Sequence, residues 1–245
     1  MAVTFEGVSA LVTIGNGTSV TPVIPAEQAG DLGWIKMFSR VNTDTHTINS
    51  GDASWTLAHE DTTSTTIHVS YWYRWLTGSD ADPLCTSNAG GTVLVAATVK
   101  IFRGAVGSGS PLDVAVPTNN EGSGTSPTAP EATSVTDGCL IVREYAGNNA
   151  AAADGGASAF TESSLGTPTA IETGDSYATE TGSDGTFGSS YILQTSAGLT
   201  GTGGCTVGTS QTWRGDSFAI KPAAAGGALL AVPTIIQNYV NMGIM

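Results

Sequence analysis

Basic side chains are nearly missing from this chain. Eight Lys and Arg stand against 21 Asp and Glu, a formal charge of −13, and no base occurs between Arg143 and Arg214. A nucleic-acid partner is therefore disfavoured, because backbone phosphates would be repelled. Charged residues of both signs make up only 12% of the chain. Long apolar runs are lacking too, and none approaches the ~20 residues of a membrane span. The opening "MAVTFEGVSALVTIGNG" has no basic region followed by the apolar core of a secretory signal. Neither a membrane partner nor export is expected. Cysteine is scarce: Cys85, Cys139 and Cys205 are odd in number and have no metal-like spacing. That pattern fits a protein made in a reducing cytosol without a disulfide framework, Cys85–Cys205 being the one candidate bridge.

Aromatics are also few, at 7%, yet Tyr71, Trp72, Tyr73 and Trp75 crowd into one run, "TIHVSYWYRW". Its period is two. Ile67, Val69, Tyr71, Tyr73 and Trp75 fall on one side of an extended chain, and His68, Ser70, Trp72 and Arg74 fall on the other. This is the alternation of a strand with one face against a covering layer, which a second sheet supplies. "VLVAATVKIFRG" repeats the pattern with Val93, Val95, Ala97, Val99 and Ile101 on one face. "GCLIVREYAG", "SSYILQTS" and "WRGDSFAIKP" are further apolar runs bounded by turn residues. Gly, Ala, Ser and Thr fill the rest, a composition of many short strands joined by turns.

A faint internal duplication accompanies these strands. "QAGDLGWIKMF" resembles "VTDGCLIVREY", with Gly30 and Leu32 matching Gly138 and Leu140. "SWTLAHED" pairs with "AFTESSLG", the Tyr71 strand with the Tyr191 strand, and "TVKIFRG" with "SFAIKP". The offsets, roughly 105–120 residues, exceed any solenoid or propeller period. The expectation is an all-β, jelly-roll-like two-sheet sandwich over residues 1–222, built from two similar four-stranded halves. The proline-bearing segment from Val116 to Thr133 would cross between them. Residues 223–245 would form a small-residue hinge and an apolar C-terminal arm. Ile235, Ile236, Tyr239, Val240, Met242 and Ile244 in it are candidates for a subunit interface, docking either in cis or on a neighbour.

Six phrases then stand in order: "VIPAEQAGDLGWI", "SWTLAHED", "VSYWYRW", "VKIFRGAVGSGSPLDV", "VTDGCLIV" and "WRGDSFAIKP". In that order they resemble a β-sandwich domain family of tailed-bacteriophage virion proteins, found also in some bacterial surface proteins. The resemblance runs from Val3 to Pro222. It implies a non-enzymatic structural component of a virion, a capsid decoration or cement protein first and a tail component second. The partners it implies are other capsid or tail subunits and further copies of the chain in a homo-oligomer. Ser54 stands where the family pattern has glycine before Trp55, and Arg-Gly-Asp stands where its last strand is more apolar.

Other chemistry finds little support in spacing. His46, His59 and His68 lie in separate stretches without the pattern of a metal site, and no cofactor is expected. Asp80 and Asp82 in "SDADPLC" read as a solvated turn and lack the later ligands of a calcium loop. No Gly-x-Ser-x-Gly elbow occurs, and "RGDS" enters an apolar strand where recognition would need a loop tip. His68, Trp72 and Arg74, with Trp34 from a neighbouring strand, form a candidate carbohydrate platform. It carries the alternative reading of a tail or fibre component that binds a host-surface glycan.

Overall fold

A computed structural model of the chain describes residues 2–15, 17–40, 44–49, 55–61, 66–88, 94–117, 119–149, 156–173, 176–178 and 184–224. Every regular element among them is a β-strand, and no helix occurs among the described residues. The first half supplies β1 (Thr4–Val8), β2 (Val12–Ile14), β3 (Ser19–Val20), β4 (Leu32–Ser39) and β5 (His46–Asn49). β6 (Thr56–Asp61), β7 (His68–Trp75), β8 (Leu84–Ser87) and β9 (Val95–Arg103) complete it. The second half begins with β10 (Asn120–Gly124), β11 (Thr128–Ala129), β12 (Thr133–Ser134), β13 (Cys139–Asn149), β14 (Ala157–Glu162) and β15 (Thr169–Glu172). It ends with β16 (Ser176–Ala178), β17 (Asp184–Gln194), β18 (Gly198–Leu199), β19 (Gly203–Val207) and β20 (Gln211–Ile220).

Each half forms a main sheet and a small one, all of antiparallel pairs. The first main sheet runs β1-β9-β4-β7-β6 with β2 also on β9, and its small sheet runs β3-β8-β5. The second main sheet runs β10-β20-β13-β17-β15 with β16 also on β17, and its small sheet runs β11-β19-β14. β12 and β18 pair by themselves. Taken in chain order, the five strands of either main path run first, fifth, second, fourth, third. The three strands of either small sheet run first, third, second. The duplication thus extends to strand order, with five strands plus three in each half where the sequence pattern offers about four.

Register locates the repeat residue by residue. Gly30 and Gly138, both in the left-handed region, open the corresponding strands β4 and β13. Thr56 lies opposite Tyr73 and Thr169 opposite Tyr191, and each edge strand then bulges, between Leu57 and His59 and between Ala170 and Glu172. The counterpart of "SWTLAHED" is therefore the β15 segment, and the expected match to "AFTESSLG" is displaced. Ala159 to Glu162 belong instead to β14, in the small sheet. A period-two pattern of small residues fits either strand, and only the pairing partner separates them.

The two main sheets face each other. Leu32, Trp34, Phe38, Val69, Tyr71 and Phe102 from the first pack on Leu140, Val142, Phe187, Phe218 and Ile220 from the second. Trp34 meets Phe218 edge-on at 4.8 Å between ring centroids, and Phe38 meets Phe187 at 6.0 Å. On the back of the first main sheet, Ile35, Met37, Val95, Val99 and Ile101 pack on Val20 and Cys85. On the back of the second, Tyr145 packs with Ala129, Ala157, Cys205 and Val207. Four layers result. β4 is buried along its whole length because both its faces are covered, and the five alternating residues from Ile67 to Trp75 do turn to one core. All three cysteines are buried free thiols, Cys85 and Cys205 in opposite outer layers.

Arg214, Gly215 and Asp216 lie inside β20, with Arg214 and Asp216 buried. At Gly215 a Cβ would overlap the Thr128 carbonyl, so the glycine is what lets β11 cross so close. Gly215→Ala is expected to lower stability by about 1–3 kcal/mol through overpacking. Gly107→Ala, where a methyl group meets open space, should change it little. Urea unfolding midpoints of the two variants test the difference.

Candidate functional site

Strand alternation sends Lys36 into the same interior as Trp34 and Phe38, and β9 places Lys100 opposite Trp34. β13 brings Glu144 and the bulged β15 brings Glu172 from the facing sheet. All four side chains are fully buried. Lys36 Nζ lies 2.6 Å from Glu172 and 3.1 Å from Glu144, and it also donates to the carbonyls of Tyr145 and Gly188. Lys100 Nζ lies 3.1 Å from Glu144 and 3.0 Å from Glu172. Ser189 donates to Glu172, and the Phe187 ring lies 4.2 Å from Lys36 Nζ. Burial alone would lower the Lys36 pKa, but Glu172 and Glu144 raise it above its ordinary value. Burial would likewise raise Glu172, and Lys100 and Lys36 hold it below the ordinary carboxylate range.

A second buried group adjoins this quartet. Tyr71 donates its hydroxyl to Asp216 at 2.8 Å, and burial lifts the Asp216 pKa to about 6. His59, at the rim, stands 3.6 Å from Asp216, and its pKa is lowered by burial and by the Arg214 charge. Arg214 pairs with Asp61 and with Glu121, the latter at 2.9 Å, and burial brings its pKa down to about 10.

A third cluster lies behind the first main sheet. Asp44, His46 and His68 are buried together, with the two imidazole rings stacked at 4.1 Å and 10°. His46 Nδ1 contacts Ser70 Oγ at 2.7 Å, and its Nε2 contacts Ser39 Oγ at 3.0 Å and Asp44 at 3.5 Å. His68 Nε2 lies 2.9 Å from Glu60 Oε1. Burial lowers the His46 pKa. Burial would raise Asp44, which His46 and the Ser87 hydroxyl hold well below the carboxylate range.

The carbohydrate candidates share a strand face, but that face turns to the small sheet. His68 is 0% exposed and Arg74 only 8%, bound to Asp80, while Trp72 is half-buried with its indole N–H on Ser70 Oγ. Trp34 faces the opposite core and does not join them. The expectation of an open polar face is corrected by the small sheet of the first half, β3-β8-β5, which covers it. Asp80 and Asp82 fasten backbone: Asp80 accepts from Thr77 N and Asp82 from Ile24 N. The interface candidates Ile235, Ile236, Tyr239, Val240, Met242 and Ile244 lie outside the described residues. The buried quartet escaped sequence reading, although lysine at a core-facing position, flanked two residues away by Trp34 and Phe38, was its signal.

Two outcomes follow. Lys36→Met should cost about 3–5 kcal/mol by stranding buried carboxylates. Replacing Lys36, Lys100, Glu144 and Glu172 together by Met and Leu should recover most of that loss, as urea titration at neutral pH would read. Asp216 has a folded pKa above its unfolded one, so its unfolded carboxyl ionises first as pH rises from about 4 to 6. Wild type then loses stability relative to Asp216→Asn across that window, by on the order of 2–3 kcal/mol, and the gap stays constant above it. Glu172 titrates in both proteins and drops out of the difference.

No protein-family model matches this chain, and no curated protein and no solved structure matches it.

Proposed function

We propose that the protein is a structural subunit of a tailed-bacteriophage virion, most simply a decoration or cement protein on the capsid exterior. In this reading each half is a jelly roll, and the chain is two of them joined through their facing main sheets. What supports the reading is the repeated strand order of the two halves, closed over a matched interior, together with the six ordered phrases that resemble phage virion domains. Charged side chains are turned inward to fasten sheets, and large aromatic ones fill the space between them. The work left to such a molecule is geometric: it fills and bridges gaps between neighbours.

The apolar run after Pro222, and the outward Leu193 and Leu199 that line one depression with Leu165, supply surfaces for that bridging. Burial there contributes roughly 25 cal/mol per Å². Repetition around a symmetric shell then turns a modest single contact into lasting attachment. The protein would be made in the host cytoplasm and reside in the particle with other capsid or tail subunits. Deleting Ala228 to Met245 is expected to leave the urea midpoint unchanged while abolishing co-purification with particles. Full incorporation of the shortened chain would refute the arm, and electron micrographs of intact particles distinguish capsid from tail.

A further inference from the structure

We propose that Asp44, His46 and His68 hold a divalent first-row transition-metal ion, zinc fitting best. Asp44 lies two residues before His46, which opens β5, and its carboxylate comes within 3.5 Å of the His46 Nε2. His68 opens β7, in the main sheet behind. One donor atom from each of the three residues lies within 4.8 Å of the others. Bonds of about 2 Å to a tetrahedral ion set donors about 3.3 Å apart, so on binding the side chains close in by up to about 1.5 Å and the two rings tilt out of their parallel stack.

The hydrogen bonds around the trio favour a ligand. Glu60 accepts the proton on His68 Nε2, which leaves Nδ1 as a bare lone pair. That nitrogen is buried and has no hydrogen-bond partner among the described residues. A buried acceptor without a donor is costly, and a cation removes the cost. The carboxylate behind His68 is the outer partner that metal-bound imidazoles usually have. Ser70, itself fixed by the Trp72 indole, plays the same part at His46 Nδ1, so Nε2, which now contacts Ser39 Oγ at 3.0 Å and Asp44 at 3.5 Å, is the nitrogen that would exchange Ser39 for the ion. Two imidazoles and one carboxylate suit zinc or its neighbours better than calcium or magnesium, which take oxygen ligands. The ion would pin the small sheet to the main sheet of the first half, since β5 belongs to one and β7 to the other.

The full chain without an affinity tag, stripped by chelation, is titrated with Co²⁺ and then Zn²⁺. The expected result is one ion per chain, a visible Co²⁺ absorption that Zn²⁺ displaces, and a higher thermal midpoint with Zn²⁺. His68→Gln should abolish uptake with an unchanged far-ultraviolet dichroism spectrum. Glu60→Gln, at a partly exposed position, should keep the fold and weaken affinity about 10- to 100-fold. No uptake by wild type at micromolar metal, or unchanged affinity in His68→Gln, overturns the site. Should His68→Gln fail to fold, Glu60→Gln decides, and unchanged affinity there overturns it equally.

Discussion

Two ammonium groups and two carboxylates lie in a dry interior, and once those charges are inside, their mutual pairing constrains how the two main sheets can meet. Each ion loses several kcal/mol of hydration on burial, and the opposite charges of the facing sheet, with the Tyr145 and Gly188 carbonyls and the Ser189 hydroxyl, offset that loss. Lys36 and Lys100 come from one main sheet, Glu144 and Glu172 from the other. A slip of one residue in β4 would turn Lys36 to the back of its sheet and leave two buried carboxylates to Lys100 alone. Apolar packing of Trp34, Tyr71 and Phe218 favours closing the two sheets, but tolerates small shifts. The quartet does not. It fixes how one sheet sits on the other, in the way buried polar groups select register in other assemblies.

The repeat explains how such a centre can exist. Lys36 and Glu144 hold the same place in their halves, four residues after Leu32 and Leu140. His59 and Glu172 likewise follow corresponding bulges. Were the halves identical, like charges would meet at the centre and repel. Opposite signs at matching positions convert that repulsion into attraction, which only two halves of unlike sequence can supply. The outer layers diverge as well. Arg143, at the position of Ile35, crosses to Glu162 at 2.8 Å and to the carbonyls of Pro130 and Gly201, tying the second main sheet to its small one. Behind the first main sheet the same join is made by apolar side chains with the stacked His46 and His68.

Strands with a clear period were legible in the sequence for a physical reason: the alternating residues from Ile67 to Trp75 turn to the core between the main sheets, and Val95, Ala97, Val99 and Ile101 turn to the one behind. The duplication was legible at Gly30 and Gly138, where a left-handed turn admits few other residues. It failed at β15, because Thr169 and Ala170 carry no pattern of their own and acquire identity only from Tyr191 and Ser190 opposite. The covered polar face of β7 was missed because period two reports two faces and cannot report a third layer beyond them. His46 and His68 are 22 residues apart in the chain and meet only because β5 packs behind β7. No spacing rule encodes a contact between different sheets.

The scarcity of bases takes on a definite meaning once their places are known. Five of the eight, Lys36, Arg74, Lys100, Arg143 and Arg214, are buried, and Arg40, Arg103 and Lys221 are partly so. Each buried base faces a carboxylate, so these residues act as interior fasteners and contribute little to the surface. Asp31, Asp44, Asp61, Glu144, Glu172 and Asp216 are buried too, so the net charge outside stays close to the formal value while only three partly exposed bases remain there. Copies of such a surface repel one another at long range, a repulsion that salt screens within about 10 Å. Any contact between copies would therefore have to come from apolar area, because the protein has almost no exposed cation with which to pair its own acids. The same distribution that stabilises the interior thereby limits what the exterior can bind.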